Sequence, residues 1–472
     1  MLTAAGLSGC MPVGPDFLRP AAIVSPQFKE IAGWKIATPR AAEPKGDWWA
    51  VFHDPELDRL ERAVAVSNQT VKADEATYGE AIALINEARA GLYPVINANG
   101  SAVRENIGTG PRTVLTGEAT GSWTLDIWGQ IRREIEAQQG VAGVSAANLA
   151  NATLAAQSAL AAAYVQLRYA DSFEDLLTRT VADYKRSLTI TQNQYNAGTA
   201  AKSDVITAQA QVLNAEAQLI AAGVSRAQSE HAIAVLMGRP PAGLSIPRGV
   251  LSTRVPSIPV RLPSSLLERR PDVAAAEETM RQANAEIGVA FAGYFPAISL
   301  SGLLGYSGNP FAASLGPSNP IWSFGASLAQ PVFNGGLTGA QVEAARQTYN
   351  SDVATYRQTV LTAIQQVEDN LSGIRILSRQ VKVEAEDVRI SRQATQIALN
   401  EYRAGTQAFT AVVVAEQQQL TAEEALLLTQ EQTQIDVVDL IVALGGGWTQ
   451  SKLPDPLADA AAPAPAPPLG SQ

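Results

Sequence analysis

Cysteine and histidine are almost missing from this 472-residue chain. Cys10 is the single cysteine, so no disulfide can form within one chain. His53 and His231 are the two histidines, far apart in sequence. A zinc-type site needs several soft ligands close together, so no metal or other cofactor is expected. Positive charge is also short, with 35 Lys and Arg against 45 Asp and Glu. A net charge of −10 lacks the basic footprint that nucleic acid demands. Residues 198–203, Gly-Thr-Ala-Ala-Lys-Ser, echo a phosphate loop but lack the glycine before lysine and the spacing ahead of it. No βαβ unit surrounds them, no nucleophile and base are paired by any motif, and no enzyme is expected.

A membrane-spanning helix is absent as well. Residues 141–167 carry no charge, but Asn148, Asn151, Gln157 and Gln166 interrupt them and alanine dominates the rest. Each amide would be costly in lipid, so a close helix–helix seam is the better account. Proline is missing over two long stretches, from about Gln130 to Asn196 and from about Thr338 to Arg403. Such stretches read as helices roughly 100 Å long at 1.5 Å per residue. Helices of that length cannot wrap one globular core and point to coiled-coil or α-barrel packing.

What is present is a duplication. Ala88-Arg89-Ala90-Gly91-Leu92-Tyr93-Pro94 echoes Ala290-Phe291-Ala292-Gly293-Tyr294-Phe295-Pro296. Tyr195-Asn196-Ala197-Gly198-Thr199 echoes Tyr402-Arg403-Ala404-Gly405-Thr406. Order and spacing persist, which marks two repeats. Each repeat reads as helix, Gly-aromatic-Pro break, two β segments, a very long helix, an Ala-Gly-Thr turn and a shorter returning helix. The returning helices are expected at about Lys202–Met237 and Phe409–Leu444. Gly198 and Gly405 read as C-cap glycines that reverse the chain.

The β segments are expected at about 94–106, 114–128, 296–307 and 321–333. Trp123 and Leu125 alternate with Thr124 and Asp126, and Trp322, Phe324, Ala326 and Leu328 repeat the pattern. Strands of this length can cross a bilayer when tilted. Four strands cannot close a barrel, and open edges are not tolerated in lipid. Two chains would pool enough strands for a narrow, filled lumen, and three for about twelve strands and a wider pore. A trimer is the preferred count.

At the start, Leu7-Ser8-Gly9-Cys10 matches the bacterial lipobox, whose cysteine becomes the acylated first residue. The residues before it are too few for a complete signal peptide and carry no basic side chain. Two readings stand: lipidation at Cys10 after a partial signal peptide, or an unmodified surface cysteine. Met11 follows, in place of the aspartate that would retain a lipoprotein at the inner membrane. The expected organisation is a partial signal peptide at 1–9, a lipidated extended segment at 10–53, a first repeat at 54–253, a second at 254–448, and a disordered Ala/Pro-rich tail at 449–472.

These features resemble a known family, the outer-membrane lipoproteins of tripartite efflux systems, the NodT or OprM group of the TolC superfamily. The resemblance spans Cys10 to Trp448. It is carried by Val13-Gly14-Pro15-Asp16-Phe17, by Leu125-Asp126-Ile127-Trp128-Gly129, by residues 262–303 with Leu266-Leu267-Glu268-Arg269-Arg270-Pro271-Asp272-Val273, and by Ala443-Leu444-Gly445-Gly446-Gly447-Trp448. It implies a mixed, mainly α fold and a homotrimer, with a twelve-stranded β-barrel in the outer membrane above a periplasmic α-barrel and an equatorial collar. It implies a passive conduit for drugs or toxic solutes, served by an RND-type inner-membrane pump and a periplasmic adaptor. The adaptor would meet the tips at Gly198, Thr199, Gly405 and Thr406. The same architecture serves type I protein secretion, which is the alternative; a non-transporting coiled-coil envelope protein is a third.

One departure bears on the pore. Relatives often carry a Leu-Asp-Ala-Gln-like run after the second tip, and here it is Val413-Val414-Ala415-Glu416. Val414 stands where the aspartate would be. An apolar plug at Val414, or charge from Asp204 or Glu416, is the expected form of the periplasmic constriction. Apolar constrictions gate by dewetting, and carboxylate rings favour cations.

Overall fold

The fold was obtained as a computed structural model. It describes residues 12–30, 47–106, 108, 110–256, 258, 263, 266–308 and 320–461. The first repeat holds α1 (Pro55–Ser67), α2 (Gln69–Ala90), β1 (Val95–Asn106), β2 (Pro111–Leu125), α3 (Gln130–Asn196) and α4 (Lys202–Leu236). The second holds α5 (Leu266–Arg269), α6 (Pro271–Ala292), β3 (Ala297–Gly308), β4 (Pro320–Ala329), α7 (Leu337–Arg403) and α8 (Phe409–Ala443). A short α9 (Pro456–Ala461) follows. Corresponding helices match in length: 22 residues in α2 and α6, 67 in α3 and α7, and 35 in α4 and α8. Duplication and long helices therefore stand as expected.

The helices form an open ribbon. On one side of α3 lie α2 above and α4 below; on the other lie α6 above and α8 below; α7 packs outside α6 and α8. Alanines such as Ala142, Ala147 and Ala161, fully buried on α3, let the backbones approach closely. Each returning helix ends against the start of an upper helix. The Asn68 amide, N-cap of α2, donates to Leu236 O at 2.7 Å, and Ser67 Oγ donates to Met237 O at 2.7 Å. In the second repeat Arg270, N-cap of α6, donates to Ala443 O at 3.1 Å. Gly445, at φ +98°, lies so close to Arg269 O that a Cβ would come within 2.1 Å of it. Two of the sequence motifs thus meet in one joint. Head-to-tail stacking also aligns the helix dipoles favourably.

The four strands form one antiparallel meander, β1-β2-β3-β4, and the central pair joins the two repeats. Its two faces differ. Register places Leu304 opposite Trp322, Trp123 opposite Leu300 and Ile298 opposite Leu328 on one face. That face is apolar and exposed, with Trp322 at 68% and Phe324 at 77%. The other face is mainly hydroxyl and amide: Thr116 bonds Ser307 at 3.3 Å and Ser299 bonds Ser327 at 2.8 Å. Among the described residues, the outer edges of β1 and β4 have no strand partner.

Two strand ends fall earlier than the pattern predicts. β2 stops at Leu125 because Asp126 caps α3, accepting from Ile131 N at 2.9 Å and Arg132 N at 3.1 Å. Trp128 Nε1 instead donates to Pro296 O at 2.9 Å, and its ring stacks on Phe295. β4 stops at Ala329, since Gln330 turns its amide to Tyr294 O and Pro331 has no N–H to give. The tail also departs from the expected disorder over its first part. Gln450–Lys452 form a 3₁₀ turn and α9 docks on α2, where Tyr78 donates to Asp459 at 2.5 Å and Ala460 is buried. Residues 462–472 lie outside the described residues.

Residues 12–30 strap the helices from the foot of the sheet downward. Val13 N donates to Trp128 O at 3.0 Å, and Asn284 donates to Pro15 O at 2.9 Å. Arg19 pairs with Glu277 at 2.9 Å, the Glu368 carboxylate accepts from Lys29 N and Glu30 N, and Arg375 pairs with Glu30. Lower down, buried Asp171 binds Arg168 at 3.1 Å, Arg226 at 2.7 Å and Gly249 N at 3.0 Å, fastening the connection after α4 onto α3.

Glu61 on α1 is fully buried and neither of its oxygens has a partner. Desolvation pushes its carboxyl up to about 9. Between the ordinary value of 4.5 and 9, the folded chain holds a proton that the unfolded chain has released. Stability contributed by the neutral form is therefore lost as pH rises through that window. Glu61→Met is expected to raise the thermal midpoint at pH 8 and flatten its decline between pH 5 and 9. An unchanged pH slope would rule out Glu61 as the responsible group.

Candidate functional site

The two tips are the same structure made twice. At the first, Gly198 sits at φ +79°, Thr199 N donates to Gln194 O and Gly198 N to Tyr195 O, both at 2.9 Å. At the second, Gly405 sits at φ +73°, Thr406 N donates to Glu401 O and Gly405 N to Tyr402 O, both at 3.0 Å. This double bond closes the orphan carbonyls of a helix end. Each threonine hydroxyl adds a bond to the same carbonyl, Gln194 O or Glu401 O, at 3.0 Å. The glycines face open space. The tips are held together by Gln194 Nε2 donating to Tyr402 O at 3.2 Å and by Ala208 of α4 packing in one cluster with Tyr402 and Phe409.

The three constriction candidates are not brought together. Asp204 lies half-buried in the first turn of α4. Val414 is 65% exposed on α8, beside a groove shared with Ile390 and Ala394 of α7. Glu416, two residues on, points the other way and is 6% exposed, because i and i+2 never share a helix face. It accepts from Ser187 of α3 at 2.5 Å. Ser187 was not marked by any sequence motif.

The lateral faces of the ribbon carry a second missed feature. On α4, Ile206, Leu213 and Ile220 recur every seven residues, on the side away from α3. On α7, Ile376, Val383, Ile390 and Ile397 do the same, away from its buried Val388 and Ser391. All seven are between 46% and 77% exposed. Apolar residues at a seven-residue spacing make one row of the kind that long packed helices use, without the second apolar row of a full coiled-coil seam, and the spacing was present in the sequence.

Cys10 lies outside the described residues. Pro12, just after it, packs against Gly129 at the foot of the sheet, where a Cβ would come within 2.6 Å of the Pro12 Cα. His53 caps the 3₁₀ turn Trp48–Phe52 at φ +53°, and His231 is exposed on α4. Among the described residues no group of His, Cys, Asp and Glu could hold a metal ion, and no helix is long and apolar enough to cross a membrane.

Long paired helices hung from a four-stranded meander are the fold of the outer-membrane efflux channels. The solved outer-membrane channel OprN superposes with a TM-score of 0.85 at 28% identity, covering 92% of this chain and 99% of that one. The family model described as outer membrane efflux protein matches residues 62–239 and 262–446, and the chain belongs to that family. It is 30% identical to the outer membrane protein OprJ of Pseudomonas aeruginosa over 465 residues, which span 96% of either chain. It is 27% identical to the toluene efflux pump outer membrane protein TtgC of Pseudomonas putida, across 95% of this chain and 94% of the relative.

Replacing a tip glycine tests the backbone argument in isolation, since no side-chain clash awaits a new Cβ. Gly198→Ala and Gly405→Ala should each cost about 1 kcal/mol locally, the penalty for a left-handed alanine. The amides of Thr199 and Thr406 should then exchange with deuterium several-fold faster. Unchanged exchange would show that the turns relax without strain.

Proposed function

We propose that this chain is the outer-membrane channel of a tripartite efflux system, a passive homotrimeric conduit from periplasm to exterior. The observation that supports it best is that every lateral edge of the chain is open and finds its complement on the opposite edge. The unpaired side of β4 suits the unpaired side of β1. Three copies would then pool twelve strands into a closed barrel, its apolar face toward lipid and its hydroxyl face toward the lumen. Below, α4 leaves the tip where α7 arrives, so the two heptad stripes run antiparallel. Ile206 stands level with Ile397, Leu213 with Ile390 and Ile220 with Val383, counted from the tips. One closed wall of helices would continue the barrel into the periplasm.

Other features fall into place on this reading. Pro12 at the foot of the sheet would set an acylated Cys10 beside the periplasmic leaflet, anchoring the chain without inserting it. A periplasmic adaptor would dock on the tips at Gly198, Thr199, Gly405 and Thr406, and an inner-membrane pump of the RND type would supply the energy. A ring of three Val414 side chains would narrow the lower lumen by dewetting, with Asp204 nearer the mouth. The cargo class is small toxic solutes, in line with the toluene and efflux-pump names of the relatives.

Two experiments bear on this. Leu213→Cys combined with Ile390→Cys should give a covalent trimer on oxidation, while either single change should not; absence of the cross-link would sink the seam. Deleting the gene should sensitise cells to several antibiotics or solvents with pump and adaptor levels unchanged. Unaltered susceptibility across a broad panel would count against efflux.

A further inference from the structure

We propose that Glu416 and Ser187 form a proton-operated latch that holds the second helical hairpin against the first and regulates the width of the lower conduit. Glu416 belongs to α8, in the α7/α8 hairpin, and Ser187 belongs to α3, in the α3/α4 hairpin. Their hydrogen bond, 2.5 Å long, is a side-chain link between the two repeats near the tips. Both residues are buried, at 6% and 2% exposure. The second oxygen of Glu416 is buried and has no partner; Glu416 is among the residues that line a partly open cavity of about 280 Å³ between α3, α7 and α8.

Among the described residues around that cavity, no cation is paired with Glu416. From α3 come Asp183, Tyr184 and Arg186; from α7 comes Arg392; from α8 itself comes Glu423. Arg392 is committed to Glu423 at 2.7 Å, and Arg186 lies 3.6 Å from Asp183. Asp183 repels a second carboxylate. A buried carboxylate without a cation is expensive, so the packed arrangement wants Glu416 neutral. Burial pushes its carboxyl up to about 7, the Ser187 hydroxyl lowers it, and Asp183 raises it again.

The direction follows. The packed hairpins hold the proton, and parted, hydrated hairpins release it near the ordinary value of 4.5. Between that value and about 7 the packed state binds more protons, so rising pH favours parting. The latch is closed in acid and loosens toward neutrality and above.

Hydrogen–deuterium exchange of residues 409–423 in the full-length protein in detergent tests this, from pH 5.5 to 8.5, with intrinsic rates divided out. Protection in the wild type should fall with pH by up to about tenfold per unit, then level off near pH 7. Glu416→Gln should hold protection high and flat. Ser187→Ala, which removes the bond that lowers the carboxyl, should move the break to higher pH. In planar bilayers, wild-type conductance should rise over the same range and that of Glu416→Gln should not; this arm alone rests on the conduit reading. Flat wild-type exchange, a Glu416→Gln profile like the wild type, or an unmoved break in Ser187→Ala overturns the latch. Exchange as described with no conductance at any pH leaves the latch standing and refutes the conduit.

Discussion

An open sheet edge in hydrocarbon leaves N–H and C=O groups with neither water nor a strand to bond, and each such group costs several kcal/mol. On the proposed reading of the sheet as part of a membrane barrel, that constraint governs this chain. Four strands in one meander have two such edges, one on β1 and one on β4. No rearrangement of a single chain removes them. The helices below repeat the problem in apolar form, since α4 and α7 end the ribbon with exposed heptad stripes. Both defects lie on the lateral edges, and in the proposed assembly both would be cured by the same operation, a rotation that sets one copy beside the next. A heterologous contact of this kind closes into a ring when the rotation divides the circle.

Within a chain, the continuity of the ribbon depends on two joints where helices meet end to end. Their duplication in backbone but not in chemistry is informative. The first joint uses neutral donors, Asn68 and Ser67, on the carbonyls of Leu236 and Met237. The second uses Arg270, held in place by Asp272 at 2.6 Å, on the carbonyl of Ala443. Both place a glycine where a side chain would strike the residue just before the N-cap of the upper helix, Gly238 against Ser67 O and Gly445 against Arg269 O. The motifs that mark the family are therefore joints. Leu-Asp-Ile-Trp-Gly caps α3 and ties the repeats at the sheet foot; Arg-Arg-Pro-Asp and Leu-Gly-Gly-Gly-Trp make one splice.

Much of this was legible because long elements announce themselves by what is missing from them. The absence of proline and the Ala-Gly-Thr turns located α3, α4, α7 and α8 to within a residue or so. Strand limits were less legible, because Asp126, Trp128 and Gln330 continue an alternating pattern while their side chains serve other partners. Pairing of β2 with β3, across repeats, has no local signal at all. Val414 and Glu416 show the limit at the site. A sequence places them two apart on one helix; only the position of α3 decides that one faces outward and the other is buried on Ser187. The heptad stripes were visible as spacing, but spacing alone does not say which apolar rows stay uncovered.

The separation of Val414 from Glu416 divides tasks that a ring of aspartates would combine. A carboxylate in the lumen both narrows the passage and titrates, and it prefers cations as a consequence. Here the residue in the aspartate's place is apolar, and the nearest buried carboxyl lies inside the wall. On the proposed reading, an apolar constriction prefers neither sign of charge and, because it dewets, admits uncharged solutes more readily than ions. A carboxyl inside the wall has a different consequence: its ionisation alters how tightly two hairpins pack, not what passes between them. Because threefold symmetry would set the same event in every copy, small changes in hairpin packing would add up around the ring, and the width of the passage would respond more steeply than any one contact.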